Sequence, residues 1–597
     1  MGIFPFSKYF PDFPFYLYYL ALLRYNTPMS YYIKKTNLKK GLYLQIYEGH
    51  HDPIKGHTVS TLYRKLGYLN DLIASGLEDP ITHFQKEVDD LNRRMRADKT
   101  SKRRAVVGES SPERNIGYVL LKRILEKLDV KRYMDLYQSI DGYQFNAYET
   151  MSAMVFARVI KPCSKRATFH DVLPLLMKDY EVSYGQMLEC CSFLGSEYEK
   201  FVELFTAMTA KVYGISTDRC YFDCTNFYFE IDSEDELRRK GPSKENRHDP
   251  IIGLGLLLDS DMVPIGMRMY SGNESEKPVM RAMIDDMKKR GNITGRTVQV
   301  ADKGLNCANN IVKALLDGDG YIFSRSVRTL SDKELEWVFL PDGWTDVCDD
   351  DGEVVYRYKE CMDDFEYFPT DEEILSRLGS KSAKVGEKRV LTYNSDLARK
   401  QIAEIDRMVE KASNLCLSKA KRAEFGDAAK YIVFKGKSKD SDEMVYARVD
   451  IGKAEEDKKL CGYNLIVTSE HKMKAVDIYS AYHRLWRIEE SFRVMKSELD
   501  SRPVFLQRPD CILGHFFICY VSVLLIRLLQ IKILDDKWSV QSIVNLIREL
   551  KAVKLSQKSY LNLARKSEIL DCVCQKFSLP LNSLLLDHKD VSALDLK

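Results

Sequence analysis

Three carboxylates stand out by their surroundings: Asp223 inside CYFDCTNFYF, Asp302 directly after TVQVA, and Glu489 within YHRLWRIEESFRVMK. The first two runs are aromatic or β-branched and read as strands. The third has no Gly or Pro and reads as an amphipathic helix, with Leu485, Ile488 and Phe492 at helical spacing. Glu489 lies seven residues after Tyr482 and seven before Lys496. Seven residues is about two helical turns, so the three side chains are expected on one face, with Arg493 one turn past Glu489. Two strand-end aspartates and a helix glutamate make an all-oxygen ligand set, which favours Mg²⁺ or Mn²⁺. Two such ions can activate a water or a 3′-hydroxyl and stabilise the leaving oxygen during in-line attack on a phosphodiester. No Ser/His/Asp or Cys/His motif offers a protein nucleophile instead. Each feature alone is commonplace, since strand-end aspartates often cap turns and charged helix faces are usually solvated. The weight rests on the combination.

The elements that must position these groups follow in a telling order. Strands are expected at Cys220–Phe229, Ile251–Asp259 and Met262–Tyr270, a helix at Pro278–Arg290, and a strand at Thr297–Ala301. A helix at Ala308–Leu316 and a strand at Tyr321–Ser324 complete the series. A meander followed by alternating strand and helix implies a mixed α/β sheet covered by helices. This is the order of an RNase H-like fold, in which the first and fourth strands lie side by side, so Asp223 and Asp302 are expected to meet at one end of the sheet. Thr225, on the same strand face as Asp223, is a candidate hydrogen-bonding neighbour or simply core. Glu490 is the alternative third ligand, pointing elsewhere on the helix.

FDCTNFYFE, VADKGLNCANN and YHRLWRIEESFRVMKSELDSRPVF together resemble the motifs of bacterial insertion-sequence DDE transposases. The similarity is to the insertion-sequence 4 superfamily, with its Tyr-x-x-Arg-x-x-x-Glu-x-x-x-x-x-x-Lys signature, and most of all to the 1634-type branch. It spans roughly residues 30–540. The resemblance implies Asp223, Asp302 and Glu489 as catalytic metal ligands for two Mg²⁺ or Mn²⁺ ions. It implies Tyr482 and Lys496 as DNA contacts, and Arg493, on the same helix face by spacing, is a further candidate. The signature's Arg position holds Leu485 here, so Arg484 or Arg487 must substitute, each about 100° away around the helix. The implied partners are double-stranded DNA, as terminal inverted repeats and target, and a second copy in the synaptic complex, with no small-molecule cofactor. The implied setting is the cytoplasm of a bacterium or archaeon, at the nucleoid. A nuclease without strand transfer and a DNA-binding relic are the alternative functions.

At 597 residues several units are expected. The expected parts are a 1–28 extension, a 29–105 α/β segment ending in a basic linker, and a 106–216 helical DNA-binding region. Core pieces at 217–325 and 471–540 flank a β-rich insertion domain at 326–470, and a helical segment fills 541–597. Hydrophobic content of 45% and charged content of 30% describe a globular chain with ample core. A net charge of +3, from 90 basic and 87 acidic residues, neither demands nor excludes nucleic acid. Local clustering must decide. The densest basic run is Arg93, Arg94, Arg96, Lys99, Lys102, Arg103 and Arg104, with Arg103 and Arg104 as candidate phosphate contacts. Arg158, Lys161, Lys165 and Arg166 form a second group at a helix break near Pro162. An apolar helix is expected around Leu62–Ile73, after a loop holding His50, His51, Asp52 and His57 that lacks metal-site spacing. The 14 cysteines contain no Cys-x-x-Cys pair and read as reduced, buried thiols. Phe13–Leu22 is too short to span a bilayer, and Cys511–Gln530, with His515 and Arg527, reads as a buried core helix, so no membrane segment is expected.

Overall fold

Aromatic and β-branched residues in alternation drive the N-terminal part into strands. The computed structural model describes residues 30–52, 57–103, 113–143, 145–242, 249–417, 422–435, 446–555 and 559–594. Contacts divide the chain into two units, Met1–Pro112 with Lys554–Lys558, and Glu113–Val553 with Ser559–Lys597. In the first unit β1 (Ser30–Leu38), β2 (Gly41–Asp52) and β3 (His57–Tyr68) form an antiparallel meander, followed by α1 (Leu69–Ala74) and α2 (Pro80–Arg103). The helix expected over Leu62–Ile73 is therefore strand as far as Tyr68. Those residues are claimed by pairing with β2, as in Tyr47↔Leu62 and the edge-to-face Tyr43–Tyr68 rings. The histidine group is not in a free loop either, because His50 pairs with Val59 and Asp52 with His57 at the hairpin's end. The basic run lies on α2, with Arg93, Arg94 and Arg96 exposed, and is not a linker. Arg103 is the last residue of α2, and Arg104 lies outside the described residues, as do residues 1–28.

The second unit opens with β4 (Glu113–Asn115) and a helical stretch whose longer helices are α3 (Val119–Lys127), α4 (Lys131–Asp141), α5 (Ala147–Ile160), α6 (Tyr184–Ser196) and α7 (Tyr198–Tyr213). The expected meander follows as β5 (Arg219–Tyr228), β6 (Ile251–Leu258) and β7 (Pro264–Ser271), then α8 (Glu276–Lys289), β8 (Val298–Ala301), α9 (Ala308–Leu316) and β9 (Gly320–Arg325). β6 and β7 run antiparallel to β5 on one side, while β8 and β9 run parallel to β5 on the other. The architecture is mixed α/β, with helices on both faces of the sheet. Tyr221, Phe227, Val300 and Ile322 face one core, shared with Ile488 and Phe516. Phe222, Cys224, Leu257 and Phe323 face the other, shared with Met280, Met283 and Ile311.

The segment 326–470 is not a separate domain. Its strands β10 (Thr345–Cys348), β11 (Val354–Tyr367), β12 (Ala383–Tyr393) and β15 (Tyr463–Thr468) extend the same sheet, to nine strands in the order β10-β11-β12-β15-β9-β8-β5-β6-β7. The unpaired edge of β9 is the physical reason, since β15 satisfies its backbone groups antiparallel. Among the described residues the ladder of β13 (Ile432–Lys435) and β14 (Tyr446–Val449) forms a separate sheet, and α10 (Ser395–Leu417) packs on β14. After β15 come α11 (Ala475–His483), α12 (Trp486–Arg493), α13 (Pro509–Arg527) and α14 (Val540–Glu549). The C-terminal segment is not purely helical, because β16 (Lys551–Lys554), β17 (Ser559–Asn562) and β18 (Leu585–Asp587) join β4 in a second sheet.

Helix α13 passes through the core. Pro509–Ile533 is long and apolar enough to cross a membrane by composition, yet 94% of its apolar window is buried inside the protein. It crosses α6 at glycines from both sides. A Cβ on Gly514 would meet the Cys191 carbonyl oxygen at 1.8 Å, and one on Gly195 the Asp510 carbonyl oxygen at 1.7 Å. Backbone cannot yield as a side chain can, so each methyl would push the helices apart. We expect Gly514→Ala to cost about 3 kcal/mol or more, read as a fall in the denaturation midpoint. A midpoint equal to wild type would contradict the close crossing.

Candidate active site

Register brings the two aspartates together. β5 and β8 pair in parallel through Tyr221↔Val300 and Phe222↔Ala301, so the next residues on the two chains are Asp223 and Asp302. Neighbouring strands lie about 4.8 Å apart. Both aspartates point to the face of Tyr221 and Val300, because side chains alternate along a strand. The same register continues through Val300↔Ile322 and Ala301↔Phe323 to Ser324 on β9. Asp223, Asp302 and Ser324 thus form a row across three parallel strands. The Cys224 N–H donates to Asp223 Oδ1 at 2.7 Å, and the Gly304 N–H donates to Asp302 Oδ1. Thr225 is buried opposite Leu254 and belongs to the packed sheet.

The helix expected over Tyr482–Lys496 is in fact three pieces. α11 ends at His483 and α12 begins at Trp486, with the turn between them tightened by i→i−3 bonds from Leu485 to Tyr482 and from Ile488 to Leu485. A π-helical turn then spans Val494–Glu498. Tightening changes the angle per residue, so a spacing of seven no longer guarantees a shared face. Packing replaces it. α11 lies on β8 and β9, and α12 on β5. Tyr482, half-buried on α11, lies near Ser324, whose side chain pulls its ionisation down against the rise from burial. Burial pushes its phenol up to about 12, and the negative charges of Asp302, Glu489 and Asp223 add to the rise. One phenol therefore senses all three carboxylates.

The two adjacent glutamates have opposite fates. Glu489 is exposed, while Glu490 is buried, with Arg527 Nη1 2.9 Å from its Oε2 and Arg487 Nη1 at 3.2 Å. Arg527 also donates to Ser491 Oγ, Gln530 Oε1 and the Arg487 carbonyl. Glu490 is thereby committed to holding α12, leaving Glu489 for the site. Among the described residues no group of three or more His, Cys, Asp or Glu side chains is gathered closely enough to hold a metal ion. The negative charges of all three carboxylates reach Tyr482, but the three side chains do not form a closed ligand cluster.

The expected cationic contacts divide in the same way. Arg484 is exposed and near enough to Tyr221 for its charge to pull that phenol's ionisation down against the rise from burial. Arg487 is not presented to the site: its guanidinium pairs with Glu490 and Asp536 and lies over the Trp486 ring. Arg493 is exposed, 3.9 Å from Glu490. The Lys496 amine sits 5.4 Å from the centre of the Phe227 ring, at the far end of the β5 face that carries Asp223. Arg103 belongs to the other unit. Ser324 went unnoticed, although its place two residues beyond Ile322 on the third parallel strand marks it.

No protein-family model matches the sequence, and no curated protein does. Among solved structures the chain is similar to a piggyBac transposase in a synaptic complex with hairpin DNA. The identity is 10%, the TM-score 0.36, and the match covers 73% of this chain and 78% of that one. A likeness so loose leaves the function to the chemistry of the site.

The division of labour between the glutamates has a direct consequence. Arg527→Met removes the buried partner of Glu490, leaving it Arg487 and the more distant Arg493, and should cost about 3 kcal/mol. Glu489→Gln, at an exposed position, should change stability by less than about 0.5 kcal/mol. Chemical denaturation of both variants checks the pair, and equal effects would contradict the assignment.

Proposed function

We propose that the chain is a DDE-type DNA transposase of the insertion-sequence 4 kind. It would bind terminal inverted repeats, cut at the element ends and join the 3′-hydroxyls to target DNA. The observation that carries the reading is the parallel register that makes Asp223, within β5, and Asp302, just past β8, neighbours, with Tyr482 under the electrostatic influence of both and of Glu489. The order β7-β6-β5-β8-β9, antiparallel then parallel, supports reading this part of the sheet as an RNase H-like core.

The donor set fits a hard cation, being carboxylate throughout. Asp223, Asp302 and Glu489 would hold Mg²⁺ or Mn²⁺, two ions in this reading, which when bound supply Lewis-acid activation and charge neutralisation at a phosphodiester. The chain's own groups do the positioning. Tyr482, with its ionisation near 12, keeps its proton at neutral pH and can donate to a phosphate oxygen or a base. Arg484, Arg493 and Lys496 supply positive charge along the same helical segment, on either side of Glu489, for the DNA backbone. Joining two ends implies two copies of the chain on the DNA.

A duplex carrying the gene's flanking DNA, with Mg²⁺ or Mn²⁺, tests the proposal. Wild type should cut at the element ends and join them to a second duplex. Asp223→Ala, Asp302→Ala and Glu489→Ala should each lose both steps and still bind. Tyr482→Phe should slow cutting by about ten-fold, the worth of one hydrogen bond. Cutting without joining would mark a nuclease, and wild-type binding without cutting a DNA-binding relic; either overturns the reading.

A further inference from the structure

A cavity of about 570 Å³ opens beside the first helical layer, at the break after α5. Its lining includes Arg158, Lys165, Arg166, Asp500, Arg502 and His515. Two of these cations are more than nine-tenths buried: Arg158 is 4% exposed and Lys165 is 7% exposed. Arg158 donates only to carbonyl oxygens, those of Cys163 at 2.9 Å, Leu499 at 3.3 Å and Asp500 at 3.5 Å. Its Nε is buried without an acceptor. Among the described residues Lys165 Nζ has one hydrogen-bonding partner, His515 Nδ1 at 3.4 Å. His515 Nε2 lies 3.1 Å from the Ser501 carbonyl, which can only accept, so Nε2 carries the ring proton and Nδ1 faces Lys165 with its lone pair.

Among the described residues no carboxylate pairs with Arg158 or Lys165. Among the lining residues the only one is Asp500, which is exposed and meets Arg158 through its backbone carbonyl. The contrast with Arg527 is direct, since that buried guanidinium is matched by Glu490. A buried charge without a counter-charge is costly and has to be offset by another contact. Burial, with Arg158 adding to it, pulls the Lys165 amine below its usual range, as expected of an ammonium lacking an anion.

We propose that this cavity is a phosphate-binding site, whose occupant supplies the negative charge that Arg158 and Lys165 lack. Arg166, exposed at the rim, and Arg502 extend the positive lining. The source of the phosphate is a nucleic-acid strand, an assignment that rests on the proposed function. Arg502 lies over the ring of Tyr228, 5.0 Å from its centre, and Tyr228 closes β5. It stands five residues past Asp223, about 17 Å along the strand. Tyr228 projects from the face of β5 opposite to Asp223, so a backbone held at the carboxylates would pass the end of β5, where Lys496 lies over Phe227, to bring a phosphate to the cavity. This contact is not catalytic; it would fix where along its length a strand is held.

Calorimetric titration of the full chain with inorganic phosphate, at constant ionic strength set by sodium chloride, tests the site alone. Wild type should bind one phosphate saturably, and Lys165→Met, which keeps the volume and removes the charge, should bind about ten-fold more weakly or worse. Arg166→Gln, at an exposed position, should weaken binding by a smaller factor and serves if Lys165→Met does not fold. Asp223→Ala should bind phosphate as wild type does, so a failure of the catalytic reading leaves this result untouched. Saturating duplex from the gene's flank should then exclude phosphate. Absence of saturable binding, or equal binding by wild type and both cavity variants, would overturn the site. Phosphate binding that duplex does not exclude would overturn the nucleic-acid source and assign the cavity to a free phosphate compound.

Discussion

The ion pair between Glu490 and Arg527 is the interaction on which the arrangement of the site depends. A buried pair of this kind adds little net stability over an apolar substitute, because desolvation cancels most of the attraction. Its effect here is directional. Glu490 can reach Arg527 on α13 in only one rotation of α12, and Ser491 and the Arg487 carbonyl bind the same guanidinium. One residue is about 100° around a helix, so fixing Glu490 inward turns Glu489 outward. The glutamate that is free to act is set by the one that is not.

The strands supply the other half. Asp223 and Asp302 are neighbours because β5 and β8 are parallel and in register, not because they are near in the chain. That pairing is protected by its place in the sheet. β6 and β7 cover one side, and β9 followed by the strands of the 326–470 segment covers the other, so neither aspartate-bearing strand is an edge. Cores on both faces then hold the row of Asp223, Asp302 and Ser324 at the margin of a rigid layer. A site on such elements keeps its geometry better than one on loops.

Much of this was legible from residue patterns. The strand and helix order from Cys220 to Ser324 could be read because its strands are near-continuous apolar or aromatic runs and α8 and α9 show helical spacing. The break between α11 and α12 could not, since YHRLWRIEESF contains no Gly or Pro and the turn is tightened by local hydrogen bonds alone. Arg487 looked available because Asp536, its partner, is far away in sequence. Leu62–Ile73 suits helix or strand equally by period, and pairing with β2 decided it. Strands of the 326–470 segment were visible singly, but which sheet they join is a long-range matter that periodicity does not carry. The cations of the Arg158–Arg166 turn were noticed as charge, while their burial follows only from the packing of Leu499–Arg502 and α13 around them.

The central claim is that Asp223, Asp302 and Glu489 act on one divalent cation site. Mn²⁺ binding followed by electron paramagnetic resonance addresses it without requiring the DNA sequence or turnover. The account predicts saturable binding by wild type, weakened about ten-fold or more in each of Asp223→Asn, Asp302→Asn and Glu489→Gln. Undiminished binding in any of the three variants, or none in the wild type, would contradict it.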